Sequence, residues 1–226
     1  MDNFDPDYSM RYVYLGETGT GKTHQLINHL DLQKRAYPDT FNILICPSYE
    51  NNKAWNAYKS VPGHNKKLID VWIKQADEKA LQYLEHLVGR RKKMNNKIVN
   101  LIIDDCGKNP NIKNKIKGNV FPELANNASH YNINLYSINQ FTTQLLTELQ
   151  NGQFQIAVLT FQSAIEERKK IRKIMLGFLE DEQAEKVLID GWQKKYDLIL
   201  VDKRDPYNIK VLRNYKENIK PKNIML

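Results

Sequence analysis

Residues 14–26, YLGETGTGKTHQL, constrain the fold of this 226-residue chain more than any other stretch. Within them, residues 16–23, GETGTGKT, satisfy the complete pattern G-x-x-x-x-G-K-[ST]. An alternating β-branched and aromatic run, RYVYLG (11–16), precedes the glycines. A helical stripe of Leu26, Ile27 and Leu30 in KTHQLINHLDLQ (22–33) follows them. Gly16, Gly19 and Gly21 let the backbone wrap an anion without side-chain clash. The N–H groups of such a turn and the N-terminus of the helix bind phosphate oxygens. Lys22 is placed to neutralise phosphate charge, and the Thr23 hydroxyl to bind Mg²⁺. Glu17, Thr18 and Thr20 within the loop, and His24 just beyond it, count with them as candidate nucleotide contacts. ATP with Mg²⁺ is the expected cofactor pair.

The rest of the chain suits one α/β domain over residues 1–226. FNILICP (41–47), NLIIDD (100–105), INLYSINQ (133–140) and FQIAVLTF (154–161) read as buried strands. The pattern over 68–94, with Leu68, Val71, Trp72, Ala76, Ala80, Leu81, Leu84 and Leu87 apolar, predicts one long helix. Short helices are expected at FPELANNASHY and near 142–150, and two more fill about 163–195. YDLILVD and YNIKVLR around KRDP predict a terminal hairpin. Strands alternating with helices argue a mostly parallel sheet flanked by helices.

A phosphate loop needs a carboxylate on a neighbouring strand, and NLIIDDC supplies one. Its four apolar positions end in Asp104-Asp105 at the carboxyl end of a buried strand, where α/β sheets bind ligands. Asp104 is the candidate for the Mg²⁺ shell and Asp105 for polarising an attacking water. INLYSINQ has the same shape and ends in Asn139-Gln140. A neutral amide there, Gln140 before Asn139, is a candidate sensor of a γ-phosphate. The five histidines show no metal spacing with Cys46 and Cys106, which read as buried free thiols of a reducing compartment.

GETGTGKT, FNILICPSYENN, NLIIDDC and SHYNINLYSINQ resemble, in order and style, the viral genome-packaging ATPases of the FtsK–HerA superfamily. That family serves poxviruses, giant viruses, virophages and archaeal turreted viruses. The resemblance spans residues 11 to about 162, and the closing hairpin is similar in style. It implies a RecA-like P-loop NTPase core with a C-terminal β-hairpin. It also implies a homo-oligomeric ring that hydrolyses ATP to translocate double-stranded DNA into a viral capsid, meeting capsid or vertex proteins. Lys22 and Thr23, the pair Asp104-Asp105, and Gln140 stand at the family's phosphate, metal, acidic and sensor positions. The chain departs from the pattern twice. The superfamily often has Asp-Glu where this chain has Asp104-Asp105, and relatives often carry arginine where Ser129 stands.

A ring ATPase commonly uses a cation reaching into the neighbour's site. Arg90, Arg91, Arg168 and Arg172 are the candidates, with Arg91 and Arg168 preferred. The segment GKNPNIKNKIKGN after the acidic strand carries Lys108, Lys113, Lys115 and Lys117, a candidate sequence-blind contact to DNA phosphates. Net charge of +8, from 34 basic against 26 acidic residues, leans toward a polyanionic partner without requiring one. No apolar run approaches the roughly 18–20 residues of a membrane span. The acidic start MDNFDPDYSM lacks a secretory pattern, so the expected location is host cytoplasm (a virus factory) or virion. Two rivals share the phosphate loop. A small-molecule or nucleoside kinase needs an acceptor pocket and an arginine-rich lid, which ERKKIRK (167–173) could imitate. A nucleotide-gated DNA-binding assembly protein would bind ATP with negligible turnover.

Overall fold

The computed structural model describes residues 9–60, 68–91, 98–107, 109–113, 119–205, 209–213 and 222–223. At its centre is β1 (Arg11–Leu15), flanked in parallel by β5 (Ile133–Asn139) and β6 (Ile156–Thr160). Beyond β5 lie β4 (Val99–Asp104), β2 (Phe41–Ile45) and the edge strand β3 (Val71–Ile73), all parallel. Beyond β6 come the antiparallel strands β7 (Leu198–Asp202), β8 (Lys210–Leu212) and β9 (Lys222–Asn223). The order across the sheet is β3-β2-β4-β5-β1-β6-β7-β8-β9. The β7–β8 pair is the hairpin expected from the sequence.

The central strands are apolar almost throughout because helices cover both faces. Alternation then divides their side chains. Val13, Leu15, Ile43, Ile45, Leu101, Ile103 and Leu135 point to one face, where α3 (Glu78–Arg91), α5 (Phe121–Tyr131), α6 (Thr147–Gln150), α7 (Ile165–Met175) and α8 (Asp181–Gly191) pack. Tyr12, Tyr14, Leu44, Ile102, Tyr136 and Ile138 point to the other, beneath α1 (Lys22–Ala36) and α2 (Lys53–Ser60). Each fully buried Leu or Ile contributes about 2 kcal/mol. A short helix, α4 (Pro110–Lys113), follows β4. Among the described residues, no helix is long and apolar enough to cross a membrane.

The structure corrects the helix expected over 68–94: its described part, 68–91, is instead the strand β3 followed by α3, and 92–94 lie outside the described residues. Besides the parallel ladder, two contacts of Asp70, just before β3, anchor it to β2. The Asp70 N–H donates to the Asn42 carbonyl at 2.9 Å, and the Asp70 carboxylate accepts from the Asn42 N–H at 2.8 Å. Lys34 of α1 pairs with the same carboxylate at 2.8 Å. The helix starts only after Asp77, whose carboxylate accepts the Ala80 N–H at 2.9 Å as an N-cap. The helix expected near 142–150 is likewise broken into a 3₁₀ turn, Thr142–Gln144, and α6. Between them Leu145 and Leu146 run extended so that both side chains reach the core.

Strand register sets up the site. Leu15 is level with Asn139 and Leu159, and Asp104 with Ile138, so β1, β4, β5 and β6 all end at one edge of the sheet. Because β5 lies between β4 and β1, its terminal amides stand between the acidic pair and the glycine loop.

Candidate nucleotide-binding site

The glycine loop is clamped to the end of β6. A Cβ on Gly16 would stand 2.1 Å from the Thr160 hydroxyl and 2.5 Å from its carbonyl, and its φ of 148° is itself unfavourable for side chains. The Thr20 hydroxyl lies 2.6 Å from that of Thr160 and donates to the Glu17 carbonyl at 2.7 Å. The Glu17 N–H donates to Phe161 O at 3.0 Å. The Glu17 carboxylate accepts the Ser163 N–H at 2.6 Å and the Ser163 hydroxyl, and these bonds lower its pKa. Gly16 and Thr20 are thus buried supports of the loop, and Glu17 ties it to the β6–α7 connection.

Gly21, at φ 99°, turns the chain into α1, whose first turn carries no acidic side chain. The positive end of the helix dipole faces the cleft above it. Lys22 is buried, and its ammonium donates to the Gly16 and Glu17 carbonyls at 2.6 Å each. Burial lowers its pKa to about 8, against the opposing pull of Asp104, Asp105 and Glu17.

Asp104 is buried at the end of β4. It accepts the Trp55 indole N–H at 3.3 Å and the Thr23 hydroxyl at 3.4 Å, with Cys46 Sγ at 4.0 Å. Burial raises its pKa to about 6, and the Trp55 bond pulls it down. Asp105 is exposed and left-handed at φ 58°, an uncommon conformation for a non-glycine residue that turns its side chain out of the strand into the cleft. Asn139 is buried and donates to Ser137 Oγ at 2.8 Å, while the Gln140 N–H donates to Gln144 Oε1 at 2.9 Å.

These groups border a cleft of about 650 Å³. Thr18, Gly19, Gly21, Lys22, Thr23 and His24 form its floor, and Asp104, Asp105, Asn139 and Gln140 one wall. The oxygen-only pair of Thr23 and Asp104 suits a hard cation such as Mg²⁺. Sequence reasoning missed the other walls. Asn52, Lys53, Ala54 and Ala57 come from the start of α2, and Tyr196 from the α8–β7 turn. The N-cap at Asn52, which accepts the Ala54 N–H at 2.9 Å, is a readable start for α2. No local pattern announces Trp55 or Tyr196.

The arginine and lysine candidates fall elsewhere. Arg168 Nε donates to the Gln162 carbonyl at 2.7 Å, close enough to Glu17 to help lower its pKa. Arg172 pairs with Glu185 of α8 at 3.1 Å. Arg90 is exposed, whereas Arg91 closes α3 with its side chain outside the described residues. Lys108, Lys115 and Lys117 lie outside the described residues, as does the side chain of Lys113 at the end of α4.

No family model and no curated protein sequence matches the chain. Among solved structures it is similar to the genome packaging NTPase B204 from Sulfolobus turreted icosahedral virus 2 in complex with AMP. That match has 18% identity and a TM-score of 0.65, and covers 92% of this chain and 98% of the other. It is also similar to the pCW3 conjugation coupling protein TcpA with ATPγS, at 16% identity and TM-score 0.55 over 87% of this chain and 58% of that one. A third match is Thermomonospora curvata EccC (ATPases 2 and 3), at 10% identity and TM-score 0.58 over 92% and 37%. At these identities the likeness is one of fold: a P-loop ATPase core with a mostly parallel sheet and a C-terminal antiparallel hairpin.

Proposed function

We propose that this chain is an ATP-hydrolysing motor of the genome-packaging type, acting on double-stranded DNA as a homo-oligomeric ring at a viral capsid vertex. One observation carries the reading: the glycine loop with Lys22, the acidic pair Asp104-Asp105 and the amides Asn139-Gln140 converge on one cleft. The fold likeness to a genome packaging NTPase over nearly the whole of both chains supports the choice of motor. The host cytoplasm or the virion is the proposed location.

In this reading Lys22 leaves the loop carbonyls for the β- and γ-phosphate oxygens. Its charge, and the N–H groups of the loop, stabilise the transition state. Mg²⁺ held by Thr23 and Asp104 would neutralise charge on the same oxygens when bound. Asp105, turned into the cleft and exposed, accepts a proton from water as the water oxygen bonds to the γ-phosphorus and the bond to the bridging oxygen breaks. Gln140 orients that water from between the two halves of the site. Arg168 of one protomer, or Arg91, is the proposed cation offered to a neighbour. Lys108, Lys113, Lys115 and Lys117 are the proposed DNA contacts.

The test is phosphate release from ATP with Mg²⁺, with and without linear duplex DNA, beside Lys22→Ala. DNA-stimulated release that falls at least a hundredfold in the variant is expected, the loss of a charge-stabilising group at the reacting phosphate. Binding of ATP without release would favour the nucleotide-gated assembly protein, and transfer to a nucleoside acceptor the kinase.

A further inference from the structure

The walls of the cleft differ in chemistry from end to end. Asp104, Asp105 and Gln140 follow β4 and β5 on one side of the glycine loop and suit the metal and the terminal phosphate. On the other side, beyond β6, the turn between α8 and β7 brings Lys195 and Tyr196 to the loop. The Lys195 ammonium comes within 3.9 Å of where a Cβ of Gly19 would be, and Tyr196 lines the cleft half-buried. The ammonium also stands 5.8 Å from the centroid of the Tyr196 ring, so the two side chains form one unit.

This turn is built rigidly. Asp197 is fully buried and accepts the Lys194 N–H at 3.0 Å, while its own N–H donates to the Lys194 carbonyl at 3.0 Å. Arg213, next to β8, pairs with the Asp197 carboxylate at 2.7 Å and donates to the Gly191 carbonyl at 3.1 Å. A buried ion pair with further hydrogen bonds from one partner holds one geometry. It commits a buried carboxylate and an arginine to fixing the turn from which Lys195 and Tyr196 face the phosphate loop.

We infer that Tyr196 is the base-stacking residue of this site and Lys195 a cation over the inner phosphates, so that a nucleotide lies with its base at the α8–β7 turn and its terminal phosphate at Asp104. The inference rests on the nucleotide reading of the same cleft and adds the base end to it. An aromatic face stacks on any base, so the site accepts nucleoside triphosphates with little preference between purines. Lys195, a flexible point charge, adds affinity for phosphate whatever the base.

Equilibrium binding of ATP and of inorganic tripolyphosphate, which has no base, separates the two roles. Tyr196→Ala is expected to weaken ATP on the order of tenfold, the worth of one stacked base, and to leave tripolyphosphate unchanged. Tyr196→Phe, which keeps the ring and the fold, is expected to bind both as the unaltered chain does. Lys195→Ala is expected to weaken both ligands by a similar factor of a few. Equal loss of ATP and tripolyphosphate in Tyr196→Ala, or no loss of ATP, overturns the base assignment while leaving the nucleotide reading intact. Failure of the unaltered chain to bind either ligand overturns both.

Discussion

Beneath α3, α5, α7 and α8 the sheet presents Val13, Leu15, Ile43, Ile45, Leu101, Ile103 and Leu135, a face of aliphatic side chains. Beneath α1 and α2 it presents Tyr12, Tyr14 and Tyr136, with buried amides below them. Asn42, Asn100 and Asn134 stand level on β2, β4 and β5 and form a ladder. The Asn100 amide donates to Asn42 Oδ1 at 2.6 Å and to Gln33 of α1 at 2.5 Å, and accepts from Asn134 at 2.8 Å. One turn earlier on α1, His29 lies between the Tyr14 and Tyr136 hydroxyls, at 3.4 and 3.1 Å. Tyr58 of α2 donates to Asp31 of α1 at 2.7 Å. Aliphatic contacts are non-directional and tolerate small shifts, whereas hydrogen bonds in a buried network fix one register. The helix held this way is the one that begins at Lys22, and α2 beside it supplies Trp55 to Asp104. One face stabilises the sheet; the other also fixes the position of the phosphate loop.

The largest expected effect tests the aliphatic face. Phe121→Ala removes a fully buried ring of α5 and should cost about 3–5 kcal/mol in urea denaturation. ATP affinity of the folded fraction should stay as it was; a matching loss of affinity would break the contrast. Asn100→Ala leaves the Gln33 and Asn42 oxygens and the Asn134 amide without the partner between them. A cost of about 2–3 kcal/mol is expected, together with weaker ATP binding as α1 loosens. Lost stability with ATP binding intact would show that the ladder does not position the loop.

The third prediction concerns pH. Burial holds the His29 pKa down to about 3, against an ordinary value of 6.5. The fold therefore keeps the ring neutral while the unfolded chain protonates it. Its contribution to stability is complete above pH 6.5 and is lost as pH falls through that window toward 3. His29→Gln should reduce the slope of stability against pH there by up to about 1.4 kcal/mol per pH unit, measured by denaturation at several pH values. Parallel curves would remove His29 as the acid-sensitive point of this face. The smallest effect is expected at the junction with the site. Trp55→Phe removes the N–H that lowers the Asp104 pKa, so that pKa rises further above about 6. Less of the carboxylate is then ionised at a given pH. Protons then compete better with Mg²⁺ for that carboxylate, so the Mg²⁺ concentration needed for half-maximal ATP hydrolysis near pH 6 should rise by a factor of a few, with little change at saturating Mg²⁺. An unchanged Mg²⁺ requirement would separate α2 from the chemistry of Asp104.

The sequence by itself determined the elements whose information is local. GETGTGKT is read where it stands, because a strand, a glycine turn and a helix start are each encoded in adjacent residues. NLIID and INLYSIN are legible as strands because a strand covered on both faces needs an unbroken apolar run. The strand-like runs LILVD and KVL on either side of KRDP likewise announce the antiparallel hairpin. Only the tertiary structure decided what depends on partners distant in sequence. Residues 68–91 carry apolar positions compatible with a helix, but Asp70 pairs with Lys34 and with the backbone of β2, so Val71–Ile73 become an edge strand. Trp55 matters because α2 folds over the end of β4. Tyr196 reaches the cleft because Arg213 holds the carboxylate of Asp197. The asparagines of the ladder read as interruptions of apolar strands until the sheet sets them level, where each satisfies the hydrogen-bonding groups of the next. Local propensity selects the element, and pairing across the sheet selects which side chains meet.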